Sequence, residues 1–441
     1  MKRALGPLRS EILAQQGAQA RPAAARPFEL VTIRLPVKLT FSALVLGLAF
    51  GIIAAGAALP PIMAEVAALV GGLWLRALQM TIIPLVASLL VLGLAQMMAA
   101  ARAGAVARHF LILVFAVLIA GGVFTAIALP LLLGIFPIPG SAAAFLADVP
   151  PGEQAVPSVL DFLKSLIAPN IIAAAAETAM LPLTIFFALF AIAVSRLPAD
   201  QSQRLLGLFH ALGNAMLLII GWVLWVAPVG VFALAFGVGL KSGGGAFAAL
   251  GHYIAVVSAM GGIVLVLGYG VAITLGGVSL PRFAAAVLPA QAVALSTQSS
   301  LASLPAMLQS SSRLNVRPAT AEFVLPLAVA IFRATSPAMN MAVALYVAAL
   351  AGVEISPAVA LVGILVALII SVGSVSLPGS ISFVVSVGPI ALAMGIPVEP
   401  LALLVAVEMV PDIMRTLSNV TMNVAVTSAV DRKAAEAREA S

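Results

Sequence analysis

The chain contains no cysteine, only three histidines and few charged side chains. Without cysteine it can form no disulfide and no thiolate metal site, and its scattered histidines lack the spacing of metal ligands. Charged residues make up 9% of the 441 residues, whereas a soluble domain has about 25%. Hydrophobic residues make up 63%, and the mean hydropathy is +1.19. This composition excludes a soluble globular domain and indicates a multi-pass protein whose surroundings are the lipid bilayer.

Basic residues are concentrated in the turns and at the termini, as the positive-inside rule requires. Arginines follow the second, fourth and sixth apolar spans, which predicts an inner-membrane protein with both termini in the cytoplasm. The net charge of +6 therefore reflects topology, and no nucleic-acid partner is expected. Trp74 and Arg76, near the start of the second span, are expected to lie at the membrane interface.

The apolar spans also predict how the chain is organised. Residues 1–38 form a basic cytoplasmic tail, 39–110 hold spans one and two, 111–250 spans three to five, 251–433 a C-terminal core, and 434–441 a second cytoplasmic tail. The eight spans are predicted over about 39–59, 70–98, 110–134, 170–195, 206–237, 252–279, 323–350 and 401–430. The sequence thus predicts an all-α polytopic membrane protein with eight transmembrane helices.

The last apolar run is long enough to cross a bilayer and yet contains charged and amide side chains. At roughly 100° per residue of a helix, these side chains share about 100° of the circumference and form one polar stripe. Each charge at the centre of a bilayer costs about 2.5–3.5 kcal/mol on insertion scales, so such residues usually face protein or a wet cavity. The stripe is therefore a candidate binding site. It consists of Glu408, Asp412, Arg415, Thr416, Asn419 and Asn423.

Two further segments predict re-entrant helical hairpins. Residues at about 283–312 have basic flanks and are too few for a there-and-back crossing, which needs about 40 residues. Residues at about 358–396 have acidic flanks, so this hairpin enters from the opposite face. Two such units of opposite orientation form an inverted-topology repeat, in which the hairpin tips meet near the midplane. The alternative is that both segments are ordinary spans with proline kinks.

Several short runs resemble the glutamate transporter family, also called dicarboxylate/amino acid:cation symporters, over most of residues 39–433. They are 227–234 (APVGVFAL), 299–305, 323–327 (FVLPL), 377–379 (LPG) and 412–420. The resemblance implies a secondary active transporter that moves an acidic amino acid or a dicarboxylate by alternating access. It also implies a homotrimer, no enzymatic activity, and a transport core in residues 251–433.

The resemblance also implies roles for the polar stripe. Arg415 would pair with the substrate's side-chain carboxylate, to which a guanidinium can donate two parallel hydrogen bonds. Asp412 would accept the substrate's amino group, which favours an amino acid over a plain dicarboxylate. Thr416 and Asn419 would make further polar contacts. The residues alone leave a second interpretation open, in which Arg415 simply pairs with Asp412 or Glu408 and the other side chains join neighbouring helices.

The two hairpin tips would hold the substrate's main-chain carboxylate. Ser299 and Ser300 belong to the first tip, and the backbone N–H groups near Pro378 and Gly379 to the second. N-terminal ends of half-helices carry unpaired N–H groups and partial positive charge, which suit a carboxylate. Ordinary turn chemistry accounts equally for serine, proline and glycine at these positions.

The departures from the family concern its cation sites. An alignment without gaps places Phe332–Ser336 on the family's NMDGT motif, so Arg333 and Ala334 replace residues that include a sodium-binding aspartate. Asn423 stands where the family has another such aspartate. Alkali cations need hard oxygen ligands, and two carboxylates are missing. These departures argue against sodium coupling of the usual kind.

Two interpretations of the coupling remain open. In the first, the Arg333 guanidinium substitutes for a bound cation and the carrier uses protons, with Glu408 or Asp412 as the titrating group. In the second, Arg333 is a structural partner of Glu408, and sodium binds to backbone carbonyls beside the second hairpin. No resident cofactor is expected, no metal site is firmly predicted, and the co-transported cation is H⁺ or Na⁺.

Other functions fit the polar residues less well. A sodium-coupled C4-dicarboxylate carrier is the nearest alternative. A substrate-gated ion channel would need polar rings from several helices, whereas polarity here is concentrated in one helix and two hairpin tips. A hydrolase built on Ser380 would lack a histidine in any nearby span to act as the base.

Overall fold

The structure is a computed structural model that describes residues 36–56, 60–102, 104–140, 167–242, 245–373 and 379–439. Within these ranges the regular secondary structure is entirely α-helical apart from short turns, as the composition predicts. The helices are α1 Val37–Ala55, α2 Pro61–Gln79, α3 Ile82–Ala101, α4 Ala105–Ile135, α5 Ile171–Ala176, α6 Met180–Val194, α7 Ala199–Trp225, α8 Ala227–Ser242, α9 Gly245–Thr274, α10 Leu280–Thr297, α11 Leu304–Arg313, α12 Pro318–Ile331, α13 Thr335–Leu350, α14 Pro357–Gly373, α15 Gly379–Ala393, α16 Glu399–Val407 and α17 Met409–Glu439.

Many of these helices have the length and composition of membrane spans. Among the described residues, six helical stretches are long and apolar enough to cross a bilayer: Lys38–Ala55, Ile62–Ala101, Ala105–Ile135, Ala199–Trp225, Phe247–Thr274 and Pro318–Leu350. Shorter apolar helices cover Met180–Val194, Ala227–Leu240, Pro357–Val372 and Phe383–Ala393. Together these helices indicate a multi-pass membrane protein.

Five of the predicted spans are interrupted, and the break in the second span lies at 80–81. The other breaks lie at 177–179, at 226, at 332–334 and at 408, and each of these four is followed by a proline in the first turn of the next helix. Proline has no N–H for the carbonyl four residues earlier, but it is tolerated where a helix begins. The prolines are Pro182, Pro228, Pro337 and Pro411. Two of these breaks lie beside the charged residues described below.

Helix α17 lies at the centre of the C-terminal core. It contacts α4, α9, α10, α11, α12, α13 and α15. Helices α10 and α11, in the first predicted hairpin, pack against each other, and α14 and α15, in the second predicted hairpin, also pack against each other. Pro378 lies outside the described residues, while Gly379 begins α15.

The end of α17 is tied to the start of α12 by one charged contact. The Arg317 side chain places its Nε 2.7 Å from Asp431 Oδ1 and donates from Nη2 to the Asp431 backbone carbonyl at 2.7 Å. The Arg317 backbone N–H donates to the second carboxylate oxygen at 3.3 Å. This contact brings the α11–α12 turn to the same end of the core as the last turns of α17.

Trp74, predicted as an anchor at the membrane interface, is buried within the protein. Its indole N–H donates to the Val223 carbonyl of α7 at 2.9 Å. Its ring also covers Gly230 of α8, where an added Cβ would come within 2.3 Å of the indole. Trp74 therefore joins three helices, while Arg76 is exposed as expected.

Helices α1 and α8 pack with their backbones in contact. A Cβ added at Gly51 would lie 2.3 Å from the Phe236 carbonyl oxygen, and one added at Gly47 would lie 2.6 Å from that of Phe232. A Cβ at Gly239, on the facing helix, would lie 2.5 Å from the Leu48 carbonyl oxygen. Small residues spaced four apart allow this approach between membrane helices, where van der Waals packing drives association.

Replacing Gly51 with valine should therefore destabilise the protein, because its side chain would overlap backbone atoms that cannot move alone. Overpacking of this kind costs about 1–3 kcal/mol. Gly72 is the matched control, since it also lies inside a helix but a Cβ added there would meet no atom within 4 Å. Thermal unfolding in detergent should show a lower Tm for Gly51→Val than for Gly72→Val. Equal Tm values would contradict the close α1–α8 contact.

Candidate functional site

The centre of the candidate site is an ion pair across the break between α16 and α17. Arg415 Nη1 lies 2.7 Å from Glu408 Oε1, and both side chains are almost fully buried. Glu408 occupies the break itself, because Pro411 cannot donate to the Val407 carbonyl and the helix restarts at Met409. The pairing of Arg415 with Glu408, which the sequence left open, is thus present in the structure.

Two further charged residues surround this pair. Asp412 Oδ1 lies 3.6 Å from Arg415 Nη1. Arg333, in the break between α12 and α13, lies within electrostatic range of Asp412 and Arg415. The cluster therefore contains two carboxylates and two guanidiniums, so its formal charges cancel. Asp412 is a carboxylate that interacts electrostatically with Arg333, and the interpretation of Arg333 as a structural partner of Glu408 stays a hypothesis.

The guanidinium of Arg415 retains unused donors. Its Nε and Nη2 atoms are buried and have no hydrogen-bond partner among the described residues. Buried polar groups are normally satisfied, and an unsatisfied donor on a charged group is especially unfavourable. A guanidinium presents its N–H groups in a planar fork that matches a carboxylate. Arg415 is therefore built to accept a second anionic group beside Glu408.

Asn419 connects α17 to the second helix break. Its Oδ1 accepts hydrogen bonds from the Thr335 backbone N–H and from the Thr335 hydroxyl, both at 3.0 Å. Thr335 begins α13, where N–H groups have no partner within the helix. Asn419 thus caps α13 through its side-chain oxygen. Thr416, one turn earlier, is buried as well.

Asn423 is the most deeply buried amide of the stripe. Its side chain is fully buried, and neither Oδ1 nor Nδ2 has a hydrogen-bond partner among the described residues. The described residues contain no group of three or more histidine, cysteine, aspartate or glutamate side chains that could hold a metal ion. Asn423 is therefore a fully buried amide at the position noted above as a departure from the family.

The tip of the α10–α11 hairpin is held by its own serines. Ser299 Oγ accepts from the Ala302 backbone N–H at 3.2 Å, and the Ser299 carbonyl accepts from the Ser303 hydroxyl at 2.8 Å. Gln298, just before, has a left-handed backbone with φ of 51°. Ser299 thus serves the turn itself, while Ser300 is half-buried at the tip. The hydrogen bonds described for this tip stay within it, and none reaches Arg415.

Tyr253 is a member of the cluster that sequence analysis missed. From α9, its hydroxyl donates to Glu408 Oε2 at 3.4 Å, and its ring lies edge-to-face with Tyr346 at 5.3 Å between centroids. The Tyr346 hydroxyl in turn lies 3.0 Å from His252 Nδ1. A buried tyrosine hydroxyl needs a hydrogen-bond partner. The presence of Tyr253, Tyr346 and His252 in apolar spans was therefore the signal from which a buried polar cluster could have been predicted.

Comparison with known proteins identifies the family. The sodium:dicarboxylate symporter family matches residues 37–433. The chain belongs to this family. It is a family of transporters, so the predictions of membrane transport and of no enzymatic activity are confirmed.

Curated relatives are similar over most of their length. The proton/sodium-glutamate symport protein of Bacillus subtilis is 28% identical, over 87% of this chain and 89% of its own. The proton/glutamate-aspartate symporter of Escherichia coli is 27% identical, over 80% and 82% respectively. The neutral amino acid transporter B(0) of Bos taurus is 27% identical, over 88% and 78%.

The buried ion pair generates a prediction about stability. Arg415→Ala should destabilise the protein by about 3–5 kcal/mol, because it leaves the Glu408 carboxylate buried without its partner. Adding Glu408→Gln should restore part of this loss, since the unpaired charge is then gone. The two single variants and the double variant should be compared by thermal unfolding at neutral pH. Strictly additive losses would show that the two side chains do not interact.

Proposed function

We propose that the protein is a secondary active symporter for a small molecule with one or two carboxylates, an acidic amino acid or a dicarboxylate. The observation that carries this proposal is the buried Arg415 guanidinium with unused Nε and Nη2 donors. The names of two bacterial relatives, which refer to glutamate and aspartate, agree with an acidic substrate. In this proposal the substrate carboxylate binds the Arg415 guanidinium and competes with the Glu408 carboxylate for that guanidinium.

The proposed architecture has eight transmembrane helices and two re-entrant hairpins, α10–α11 and α14–α15. Both termini lie in the cytoplasm, the protein resides in the inner membrane as a homotrimer, and the C-terminal core moves for alternating access.

The substrate's main-chain carboxylate binds at the two tips, through Ser300 and the start of α15 at Gly379. Breaks inside the predicted spans support this arrangement, because open backbone at membrane depth is tolerated only where protein or a cavity covers it.

Charge balance supports coupling to a cation. The four charged side chains cancel, so an acidic amino acid would add one negative charge to the cluster and a dicarboxylate would add two. An uncompensated buried charge costs several kcal/mol even after the protein relaxes. One cation per amino acid or two per dicarboxylate would restore neutrality. Glu408, released when the substrate takes Arg415, is the proposed proton carrier, and Arg333 provides the fixed positive charge near Asp412.

A carrier for plain dicarboxylates is the second candidate function. Asp412 lies 3.6 Å from Arg415 and within electrostatic range of Arg333. A carboxylate between two guanidiniums is less available to a substrate ammonium group. This observation favours a substrate without nitrogen, in contrast to the amino-acid preference implied by the presence of Asp412.

The proposal is tested first at Arg415. Arg415→Ala should abolish measurable binding of acidic ligands, because loss of one side of a buried charge pair costs about 2–5 kcal/mol, or roughly 30- to 5000-fold in affinity. Arg415→Lys keeps the charge but not the planar fork, so it should bind with intermediate affinity. Titration calorimetry with aspartate, glutamate and succinate measures both. Unchanged affinity of Arg415→Ala for every acid that the wild type binds would reject Arg415 as the anchor.

Asp412 distinguishes the two substrate classes. If Asp412 accepts a substrate ammonium, Asp412→Asn should weaken aspartate binding far more than succinate binding. Competition between labelled aspartate and unlabelled succinate in the variant measures the ratio directly. Equal losses for both ligands would show that Asp412 serves the arginines, and the amino-acid assignment would then be wrong.

Coupling is tested in proteoliposomes. Uptake at fixed ionic strength should change little when choline replaces sodium, because Ala334 and Asn423 replace two expected sodium-binding carboxylates. Uptake should instead increase with an inwardly directed proton gradient, and Glu408→Gln should remove that increase while retaining exchange of internal for external substrate. A steep dependence on several sodium ions would contradict this account and would indicate that carbonyl and amide oxygens suffice as ligands.

A further inference from the structure

A second site lies at the far end of α17 from Arg415. We propose that a cavity between α4, α9 and α17 binds an anionic phospholipid, with its phosphate at the basic rim and its acyl chains along the apolar wall. The cavity has a volume of about 500 Å³. At 1.5 Å per helical residue, Arg432 lies about 25 Å along α17 from Arg415, so this site is separate from the proposed substrate site.

The rim of the cavity carries an excess of positive charge. Arg432 and Lys433 come from α17, and His109 comes from the first turns of α4. The Nδ1 atom of His109 is buried and has no hydrogen-bond partner among the described residues. Basic pockets between membrane helices on the cytoplasmic side are typical sites for anionic lipid headgroups.

Two acidic residues lie near this rim, and neither prevents anion binding. Asp431 is engaged by Arg317 at 2.7 Å. Glu436 pairs with Arg432 at 3.0 Å, but both side chains are about half exposed, at 55% and 49%. Exposed ion pairs of this kind contribute little, so a phosphate can replace Glu436 as the partner of Arg432. The Arg432 guanidinium also lies close to Gly277, where an added Cβ would come within 2.7 Å of its Nη1.

The wall of the cavity is apolar and open. Ile112 and Leu113 of α4, Leu275 after α9, and Val430 of α17 line it. Ile112 and Leu275 are 64% and 47% exposed, which is unfavourable in water but suits an acyl chain. A free phosphate would use only the rim, whereas a phospholipid would use both the rim and the wall. The two-part lining therefore favours a lipid.

The sequence places this end of the molecule at the leaflet where anionic lipids are enriched. Arg108 and His109 lie in the first turns of α4, and the positive-inside pattern predicts that the turn before this helix is cytoplasmic. The same pattern places Arg432 and Lys433 on that side, and the cavity brings the two groups together. The cytoplasmic leaflet carries the anionic headgroups that attract such residues.

Native mass spectrometry of the full-length protein tests the proposal. Purified in a neutral detergent, the wild type should retain phosphatidylglycerol in preference to phosphatidylcholine. The double variant Arg432→Gln with Lys433→Gln should lose about tenfold or more of that affinity. Glu436→Gln should bind more tightly than wild type, because it frees Arg432. The matched control is Arg196→Gln with Arg204→Gln, which removes two arginines outside this cavity and should leave binding unchanged.

Several outcomes would overturn the proposal. They are full retention of phosphatidylglycerol by the double variant, an equal loss in the control variant, and equal binding of the two lipids. Inorganic phosphate and glycerol phosphate should displace the lipid only weakly, and displacement at matched concentrations would identify a phosphate site instead. A thermal unfolding scan of each variant without added lipid confirms that any loss of binding is not a loss of fold.

Discussion

A positive charge buried in α17 is the constraint on which the rest of the core depends. Arg415 cannot remain charged in an apolar bundle without compensation, because the desolvation penalty is several kcal/mol per ion. Glu408 supplies that compensation from 2.7 Å, and Asp412 lies 3.6 Å away. Tyr253 in turn donates to the second oxygen of Glu408. The unused donors of Arg415 leave this balance open to an incoming carboxylate.

The helix breaks are what bring these groups together. Glu408 occupies the break before α17, and Arg333 occupies the break before α13. In both cases the next helix has a proline as its third residue, Pro411 and Pro337, which removes one helical hydrogen bond and allows the chain to change direction. Asn419 then accepts a hydrogen bond at 3.0 Å from the Thr335 backbone N–H, which has no partner within its own helix. The polar stripe is therefore both a candidate binding surface and the element that stabilises a broken helix.

Much of this could be predicted from the sequence, because lipid restricts where polar residues can lie. Charges at 3.6-residue spacing in an apolar run predicted a buried stripe on one helix, and all six of its members are buried or nearly so. Family, transport and an all-helical fold followed from short motifs and composition. Proline in the first turn of a helix was the available signal for the breaks.

Contacts between distant segments could not be predicted in the same way. The hydrogen bond from Tyr253 to Glu408 joins residues 155 apart, and no spacing rule relates two such positions. Trp74 is an aromatic residue near the start of a span, as interfacial anchors are. Its ring nevertheless packs against Gly230 on a neighbouring helix, where the missing side chain leaves room for it. The capping of Thr335 by Asn419 likewise depends on how α13 and α17 pack. A single sequence records which side chains need partners but not which partners they find.

The central claim is that the substrate replaces Glu408 as the partner of Arg415. A cryo-electron microscopy structure of the protein with bound aspartate or succinate tests it most directly. The account predicts a ligand carboxylate within hydrogen-bond distance of the Arg415 guanidinium and a longer separation between Arg415 and Glu408 than the present 2.7 Å. Ligand density away from α17, with the Arg415–Glu408 pair unchanged, would contradict it.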